Sequence, residues 1–507
     1  MSTEPLTTSG LAAATTVSNA GSTAQPGRAR LRGAAWPIVI TGAAQFMAAL
    51  DNLVVTMALP VIREKLHTGL AGLQWTVNAY TLTFAVLLLT GATLGDRFGR
   101  RRMFVAGIAL FTLASAAAAL APTAGALIAA RAVQGAGGAM LVPLSLTLLS
   151  ASVPAQRRNA ALGIWGAIGG LAVAVGPLVG GAVVQGISWQ WIFWLNVPIG
   201  AVVAPLAWFA LGESHGPRAR LDLAGVALAS AGLFGIVFGL VRGGQVGWGA
   251  SQVLVAFAGG AALLAGFIAW ERRSPAPMLP LGLFAGRRFS LVNVASLLMS
   301  FGMFGSIFLL AQFLQTVQHI SPLDAGIRTL PWTAMPVLVA PLAGRFVDRI
   351  GGRTLITVGL SLQAAGLAWM AAVSAVHVSY AALVPAFVIS GIGMSLFFVP
   401  VASVVLSSVR PADEGVASGI NNAMRELGGV LGIAVLGAVF SGSGGYATGA
   451  TFVSGLVPAV AVGAGVVVVA VLAALAMGTA RSRRARGRAE EAGIERPGTG
   501  GPSEAEV

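Results

Sequence analysis

The chain has 507 residues, of which 56% are hydrophobic and only 9% are charged. A soluble globular domain carries about 25% charged residues, so a soluble chain of this composition could not solvate its surface. The composition instead predicts a protein that crosses a membrane many times, with lipid around much of its exterior. The 68 glycines agree with that class, because small residues let membrane helices approach closely.

The sequence also lacks the residues that several kinds of site require. There are no cysteines, which excludes disulfides, thiolate nucleophiles and Cys-ligated zinc. The four histidines are far apart, and the single lysine, Lys65, follows Glu64, so a phosphate-binding loop of the G-x-x-x-x-G-K-[ST] type is impossible. We therefore expect no metal, no cofactor and no enzymatic activity.

Fourteen apolar runs predict membrane helices, because about 20 such residues are needed to cross a bilayer. The first run follows a polar segment that we interpret as a disordered tail rather than a signal peptide. The thirteenth is the weakest and must extend back through Arg425 and Asn421 to cross the membrane. The predicted spans are 36–61, 74–95, 103–122, 125–150, 160–184, 190–211, 221–241, 251–270, 289–314, 326–346, 353–374, 379–405, 420–440 and 456–478.

Basic residues are distributed unequally between the two sets of connecting segments. If the N-terminus is cytoplasmic, the inner segments and both tails hold 25 of the 31 basic residues, whereas the outer loops hold three. This bias predicts that both termini lie in the cytoplasm. It also accounts for the net charge of +14 without a nucleic-acid partner, and the run from Arg481 to Arg488 is expected to contact anionic lipid.

The chain contains an internal duplication. The stretches after spans 2 and 10 match, and their aspartates, Asp96 and Asp348, are 252 residues apart. At an offset of 256, Gly135 in span 4 falls on Gly391 in span 12. Two bundles of six helices, with spans 7 and 8 inserted between them, are typical of transporters that bind substrate between their halves. The predicted regions are a disordered cytoplasmic tail (1–35), the first bundle (36–211), the inserted pair with the central cytoplasmic loop (212–288), the second bundle (289–478) and a second disordered cytoplasmic tail (479–507).

Five motifs follow one another along the chain. They are Leu50-Asp51 running to Ala58-Leu59-Pro60, Leu94-Gly-Asp96-Arg97-Phe-Gly99-Arg100-Arg101, Arg131-Ala-Val-Gln134-Gly135-Ala-Gly137, Gly163 with Gly176-Pro177-Leu-Val-Gly180-Gly181, and Trp189-Gln-Trp191-Ile-Phe193-Trp-Leu-Asn196-Val-Pro198-Ile-Gly200. Together they resemble the major facilitator superfamily, in particular its fourteen-helix drug:proton antiporter family, from about Trp36 to Gly478. Ala92 and Ala172 depart from the usual motifs, but both keep a small side chain where the family has glycine.

Three charged residues are candidates for proton coupling. An ionised carboxylate in a membrane span, such as Asp51, must face a cavity, pair with a cation or be protonated. An antiporter can use such a group if it loses its proton when substrate binds and regains it from outside. Arg131 is the expected partner of Asp51, and the alternative for both residues is a fixed structural pair. Glu426 beside Arg425 is either a second protonation or cation-binding site or part of a pair that reaches the inner interface.

Two further groups of residues follow from the motifs. The loop motif and its repeat are interpreted as gating contacts that hold one access state, or alternatively as solvated charges that fix topology. The glycines and proline of span 5 predict close packing and a bend. The gating candidates are Asp96, Arg97, Arg100, Arg101, Asp348 and Arg349, and the antiporter-motif candidates are Gly176, Pro177, Gly180 and Gly181.

The resemblance implies that spans 1, 2, 4 and 5 face spans 9, 10, 12 and 13 across a substrate cavity. Apolar residues of these spans are expected to provide an adaptable wall, and a few polar residues to orient the substrate. The polar candidates are Gln45, Asn78, Tyr80, Gln312, Gln315 and Asn421. The apolar candidates are Met299, Met303, Phe304, Phe308 and Phe398.

The sequence thus predicts a monomeric, proton-coupled multidrug or antibiotic efflux transporter of the cytoplasmic membrane. It would exchange protons for small hydrophobic substrates by alternating access. One alternative is an exporter dedicated to a single endogenous secondary metabolite. Another, from a different class, is a membrane sensor or scaffold without transport activity, although its tails are short for a signalling domain and Asp51 would then have no role.

Overall fold

The computed structural model describes residues 35–216 and 221–478, apart from the side chains of residues 155, 159, 348 and 412. Within these ranges it contains fourteen helices long and apolar enough to cross a membrane, and no strand. The predicted all-α membrane fold is confirmed, whereas the predicted tails, except Ala35, lie outside the described residues. The helices are α1 (Ala35–Lys65), α2 (Leu70–Phe98), α3 (Arg100–Ala119), α4 (Ala124–Ser152), α5 (Gln156–Gly186), α6 (Trp191–Ala210), α7 (Leu223–Val246), α8 (Ser251–Glu271), α9 (Arg287–Val317), α10 (Pro322–Val347), α11 (Gly352–Val373), α12 (Tyr380–Leu406), α13 (Glu414–Ser443) and α14 (Gly449–Ala476).

Three of these helices are locally irregular. α6 is interrupted at Leu195, and α9 ends in a π-helical turn over Phe313–Val317. α10 is interrupted at Ala334, which lies between Pro331 and Pro336. Proline removes a backbone donor and clashes with the preceding turn, so these prolines explain the break in α10.

Most helix boundaries differ from the sequence prediction by a few residues, and the starts of α13 and α14 differ most. α13 begins at Glu414, so Arg425 and Glu426 lie near its middle and not in its first third, where the predicted span places them. The polar first half of α13 packs in part on α9, where Asn421 donates to Ser296 at 2.9 Å. α14 begins at Gly449, earlier than predicted, because Thr448 starts it with a capping box that hydropathy does not reveal.

The duplication is visible in the packing. α1 packs along α5 as α9 packs along α13, and α3 packs along α4 as α11 packs along α12. The connection between α2 and α3 turns at Gly99, with a φ of 106°, and the matching connection between α10 and α11 turns at Gly351, with a φ of 90°. Both values lie in the left-handed region that favours glycine, so the repeated glycine serves the same turn in each half.

The inserted helices α7 and α8 pack mainly against each other, and α7 also packs on α2 and α13. Glycines line the contact between the two helices. A Cβ on Gly235 would lie 3.0 Å from the Ala256 carbonyl oxygen, and Gly260 approaches α7 in the same way. The inserted pair therefore lies beside the line along which the two halves meet.

The end of the molecule that contains Lys65 lies opposite the loop motif, and we call it the opposite end. The two halves meet most closely there. The other end, which contains Asp96, we call the loop-motif end. A Cβ on Gly181 of α5 would lie 2.7 Å from the carbonyl carbon of Pro322 in α10, so the backbones touch. Arg63 of α1 stacks on Tyr446 of the second half, 3.8 Å from its ring centroid. Towards the loop-motif end, by contrast, α5 and α10 are largely exposed.

Candidate functional site: a buried charge network beside a central cleft

A network of buried polar side chains surrounds Asp51 in α1. Arg131 of α4 forms an ion pair with it through Nη1 and Oδ2, and Gln134 Nε2 donates to Asp51 Oδ1 at 2.8 Å. The amide of Asn196 in α6 donates to the same oxygen at 2.9 Å, and Gln134 also donates to Ser115 Oγ in α3 at 2.7 Å. The exposed fraction of Asp51 is 2% and that of Arg131 is 0%, so bulk water is excluded from the ion pair.

The guanidinium of Arg131 has several contacts besides the carboxylate. Its Nε donates to the Thr76 carbonyl oxygen of α2 at 3.2 Å. Its Cζ lies 4.4 Å from the ring centroid of Tyr80 and 5.7 Å from that of Phe193, and aromatic faces attract cations. These contacts hold Arg131 in place independently of the charge on Asp51.

The spacing of residues along α4 explains why these side chains meet. Arg131 and Gln134 are neighbours on one helix face, because residues three apart lie side by side. The glycines that follow remove side chains from α4: a Cβ on Gly137 would lie 2.7 Å from the Phe111 nitrogen of α3. α3 can therefore approach α4 closely enough for Ser115 to reach Gln134, and Gly135 lets α2 approach α4 in the same way.

Three members of the network have no role assigned from the sequence. Gln134 and Asn196 stand inside motifs, and Ser115 stands in none. The available signal was the presence of amide side chains in otherwise apolar spans, since a buried amide needs partners. Only the fold reveals that Gln134 and Asn196 both donate to the Asp51 carboxylate and that Ser115 accepts a hydrogen bond from each of them.

A narrow cleft lies between the two halves. Glu426 of α13 borders it, and within the described part of the chain this carboxylate makes no hydrogen bond or ion pair. Phe304 and Phe308, two of the predicted apolar wall residues, line the cleft. The lining consists of Asn52, Thr56, Val77, Thr81, Phe304, Ile307, Phe308, Glu426, Gly429 and Ile433.

Arg425 is directed away from this cleft. Its Nη1 donates to Asn422 Oδ1 at 3.1 Å, and its Cζ lies 4.5 Å from the ring centroid of Phe398. It borders a second cavity, of about 450 Å³, between α12 and α13. Adjacent residues on a helix do not face each other. Glu426 therefore borders the central cleft, whereas Arg425 borders the second cavity.

The polar residues predicted to bind substrate in the first half lie outside the central cleft. Tyr80 packs against Arg131 and belongs to the Asp51 network. Gln45 Oε1 and both polar side-chain atoms of Asn78 are buried and make no hydrogen bond among the described residues. They remain polar groups without an observed partner in this conformation.

The predicted residues of the second half make structural contacts. Gln315 donates to the Met57 carbonyl oxygen of α1 at 3.1 Å, which joins the two halves. Gln312 accepts a hydrogen bond from Tyr446. Asn421 donates to Asn293 and to Ser296 of α9, at 3.1 and 2.9 Å, and borders the second cavity.

The loop motif forms ion pairs at its end of the molecule. Asp96 lies in the last turn of α2, not in the loop where the sequence places it, and pairs with Arg100 at 2.7 Å. The turn at Gly99 brings the first residue of α3 back to that carboxylate. Arg97 lies beside its neighbour, with its Cζ 5.4 Å from the ring centroid of Phe98.

Glu213, which follows α6, is a member of this cluster that the sequence did not single out. Its carboxylate lies 3.8 Å from Arg101 and 3.7 Å from Arg102, and it accepts the backbone N–H of Arg101 at 3.0 Å. Arg101 also donates to the Trp208 carbonyl oxygen at 3.2 Å. The motif therefore ties α3 to the end of α6.

The repeat of this motif is only partly visible. The side chain of Asp348 lies outside the described residues, and Arg349 is exposed. Arg353, at the start of α11, donates to the Leu475 carbonyl oxygen of α14 at 2.5 Å. The role predicted for Asp348 and Arg349 therefore stays a prediction.

The glycines of the antiporter motif lie at contacts between helices. A Cβ on Gly176 would lie 2.9 Å from Leu53 Cβ, and a Cβ on Gly180 would lie 2.8 Å from the Val54 carbonyl oxygen, so both positions let α5 touch α1. Gly181 touches α10 in the same way. Pro177 lies inside α5 and has no backbone N–H to donate. One helix thus packs tightly against both halves.

These features define a class of multi-pass membrane protein built from two related six-helix bundles that enclose a cleft with a buried charge network beside it. A model of the Major Facilitator Superfamily matches residues 41–433 and 292–499, and the chain belongs to that superfamily. The superfamily consists of transporters and not of enzymes, so the expectation of no enzymatic activity is confirmed.

The chain is similar to two exporter or resistance proteins. It is 35% identical to the tetracenomycin C resistance and export protein of Streptomyces glaucescens, over 81% of this chain and 77% of that one. It is 38% identical to the multidrug resistance protein Stp of Mycobacterium tuberculosis, over 80% and 75%. A crystal structure of the peptide transporter POT in complex with sulfate shares the fold, with a TM-score of 0.65, 17% identity and coverage of 89% and 95%.

Proposed function

We propose that this protein exports hydrophobic, drug-like compounds across the cytoplasmic membrane in exchange for protons, by alternating access. The observation that carries the proposal is a central cleft formed by both halves, which contains one unpaired carboxylate, Glu426, beside the buried ion pair of Asp51 and Arg131. The aromatic wall of the cleft fits an apolar compound, and the carboxylate fits a proton or a cationic group.

Coupling is assigned to Asp51. When this carboxylate takes up a proton, it loses its charge attraction to Arg131, while the other contacts of the arginine remain. The α1–α4 contact then loses its strongest interaction, because charge-assisted hydrogen bonds are about twice as strong as neutral ones. Glu426 is proposed as the second group that binds a proton or a cation, directly in the cleft.

The named relatives support small-molecule export. One is a multidrug resistance protein and another is a resistance and export protein for tetracenomycin C. The relative that exports tetracenomycin C favours the alternative that this chain exports one endogenous secondary metabolite. A panel of unrelated hydrophobic compounds distinguishes the two, since a dedicated exporter would accept only close analogues of a single compound.

We also propose that the protein is monomeric, with both termini in the cytoplasm, and that the inserted pair divides the two bundles as predicted. In that orientation the opposite end faces outward and is closed, and the loop-motif end opens to the cytoplasm. The ion pairs of Asp96 and Glu213 would then help to hold this inward-open state, because they are formed while the loop-motif end is open. Reporter fusions after Ala250 and Pro280 test the orientation, because they should report the outer and inner sides, respectively.

The decisive test is substrate-dependent proton flux in liposomes that contain the purified protein. A pH gradient should drive uphill accumulation of a hydrophobic cation, and addition of that cation should drive proton movement in the other direction. Liposomes without protein and liposomes with Asp51→Asn are the controls. Substrate movement without proton movement would refute coupling, and movement of neither would refute transport of that compound class.

A further inference from the structure

Two acidic side chains lie outside the clefts, at the loop-motif end of the inserted helices; we call them the carboxyl pair. Asp222 precedes α7 and caps it, because its Oδ1 accepts the N–H of Gly225 at 2.8 Å. Glu271 is the last residue of α8 and is only 4% exposed. Its Oε2 accepts the N–H of Leu279 at 3.0 Å.

The remaining oxygen of each carboxyl group has no donor. Asp222 Oδ2 and Glu271 Oε1 are buried and make no hydrogen bond within the described part of the chain. Both converge on Gly225, where a Cβ would lie 2.6 Å from the first and 2.8 Å from the second. The free oxygens of the two carboxyl groups therefore lie close together beside this glycine. Two ionised carboxylates can only accept, so a hydrogen bond between these two groups would require a proton.

No positive side chain neutralises the pair among the described residues. Arg272 and Arg273 follow Glu271 but are exposed and form no ion pair with it. The neutral indole N–H of Trp270 donates to Asp222 Oδ1 at 2.7 Å, and Leu279 contributes only a backbone N–H. Among the described residues, Asp222 is therefore the charged group that faces Glu271, and two like charges close together disfavour double ionisation.

We propose that Asp222 and Glu271 form a binding site for one proton, which fastens the segment after α8 to the start of α7. In the protonated pair, the O–H of one carboxyl group donates to the oxygen of the other. When that proton leaves, two carboxylates repel each other, and the acceptor for the Leu279 N–H moves with Glu271. This site is separate from Asp51 and Glu426, and it does not depend on the proposed export function.

The segment after α8 connects the carboxyl pair to the two halves of the protein. Met278 and Leu279 pack in one apolar cluster with Leu82 of α2 and Val430 of α13. α2 and α13 belong to different halves and contact each other. Release of the proton therefore loosens a segment that rests on both halves, which makes the pair a proton-dependent control of their relative movement.

Infrared difference spectroscopy of the full-length protein in detergent tests the proton directly. As the pH rises, the parent protein should lose one protonated-carboxyl C=O band that Glu271→Gln lacks at every pH. The glutamine amide can still donate to Asp222, so this variant should fold. Asp413→Asn is the matched control, because Asp413 already pairs with Arg410 at 2.9 Å and should contribute no such band. An identical band in parent and Glu271→Gln overturns the proposal.

Hydrogen exchange tests the consequence for the segment. Peptides that cover residues 272–285 should be better protected at low pH than at high pH in the parent, and protected at both in Glu271→Gln. Equal pH dependence in the two proteins overturns the proposed control. Calcium ions provide a further test: if added Ca²⁺ removes the carboxyl band at constant pH, the pair is a cation site and not a proton site.

Discussion

The two six-helix halves share one packing pattern but differ in where they keep charge. At the repeat offset, Arg131 falls on Phe387, which stacks on Trp332 with ring centroids 6.2 Å apart, and Asp51 falls on the apolar stretch around Met303. The same helical scaffold is therefore stable with an aromatic contact in place of the ion pair. This difference indicates that the charge network is not required by the fold and has been kept in the first half for another reason.

The carboxylates of the two halves also differ in their surroundings. Asp51 accepts hydrogen bonds from Arg131, Gln134 and Asn196, whereas Glu426 has no partner among the described residues. A buried carboxylate with many donors is costly to disturb, while one that borders a cleft is available to a ligand. We expect the first to control conformation and coupling and the second to control which substrates bind.

The strongest test of this comparison is Asp51→Asn. The amide cannot exchange a proton, so uphill efflux should be lost, while binding of a neutral substrate should persist. Arg131 loses its counter-charge, and breaking a buried ion pair costs about 3–5 kcal/mol, so thermal unfolding should begin at a lower temperature. Proton release on substrate binding, measured in weak buffer, checks the coupling.

The control for that measurement is Asp324→Asn, which removes an exposed carboxylate bonded to Ser321 at 2.9 Å. It should leave proton release unchanged. If Asp51→Asn releases as many protons as the parent protein, the coupling group lies elsewhere, and Glu426 becomes the first candidate.

Gly181→Val should give the next largest effect, because it acts where the halves touch rather than within either half. The new side chain would overlap the backbone of Pro322, so the opposite end cannot close and transport should stop. Accessibility labelling at that end should rise. Gly170→Ala on the same helix is the matched control, since no atom lies within 4 Å of its Cβ position. Normal transport by the valine variant would contradict the assigned closure.

Glu426→Gln tests whether Glu426, unlike Asp51, controls affinity through the charge of the substrate. A hydrogen bond to a charged group contributes about 1.5–3 kcal/mol, so affinity for a cationic substrate should fall roughly tenfold to a hundredfold. Affinity for a neutral analogue should change little, because the aromatic wall remains. Binding titrations with a matched cationic and neutral pair check this. Equal losses for both analogues would mean that Glu426 supports the shape of the cleft and not its charge preference.

The smallest effect is expected for Asp96→Asn. The side chains of Asp96 and Arg100 are 28% and 21% exposed, and such pairs contribute roughly 0.2–1 kcal/mol. Interconversion of the two access states should therefore change by less than about fivefold, without loss of folding. Single-molecule distance measurements across the loop-motif end provide the readout. An unchanged rate would mean that Asp96 and Arg100 serve only to fix the membrane topology.

The sequence predicted the scaffold better than the site, for a physical reason. Apolar run lengths and the repeated glycine turns at Gly99 and Gly351 are local signals, and they determined the number of helices and their duplication. The ion pair of Asp51 and Arg131 could also be predicted, because a charge in an apolar span needs a partner. The aromatic wall was predicted in part, but the polar lining was not, because tertiary packing directs Gln315 to a backbone carbonyl and Asn421 to Asn293 and Ser296.

The position of α7 and α8 has a consequence for how compounds reach the cleft from the bilayer. The cleft has two flanks, one where α2 meets α13 and one where α5 meets α10. The inserted pair covers the first flank, since α7 packs on both α2 and α13. We therefore expect a lipid-dissolved compound to reach the cleft between α5 and α10, where both helices are exposed towards the loop-motif end.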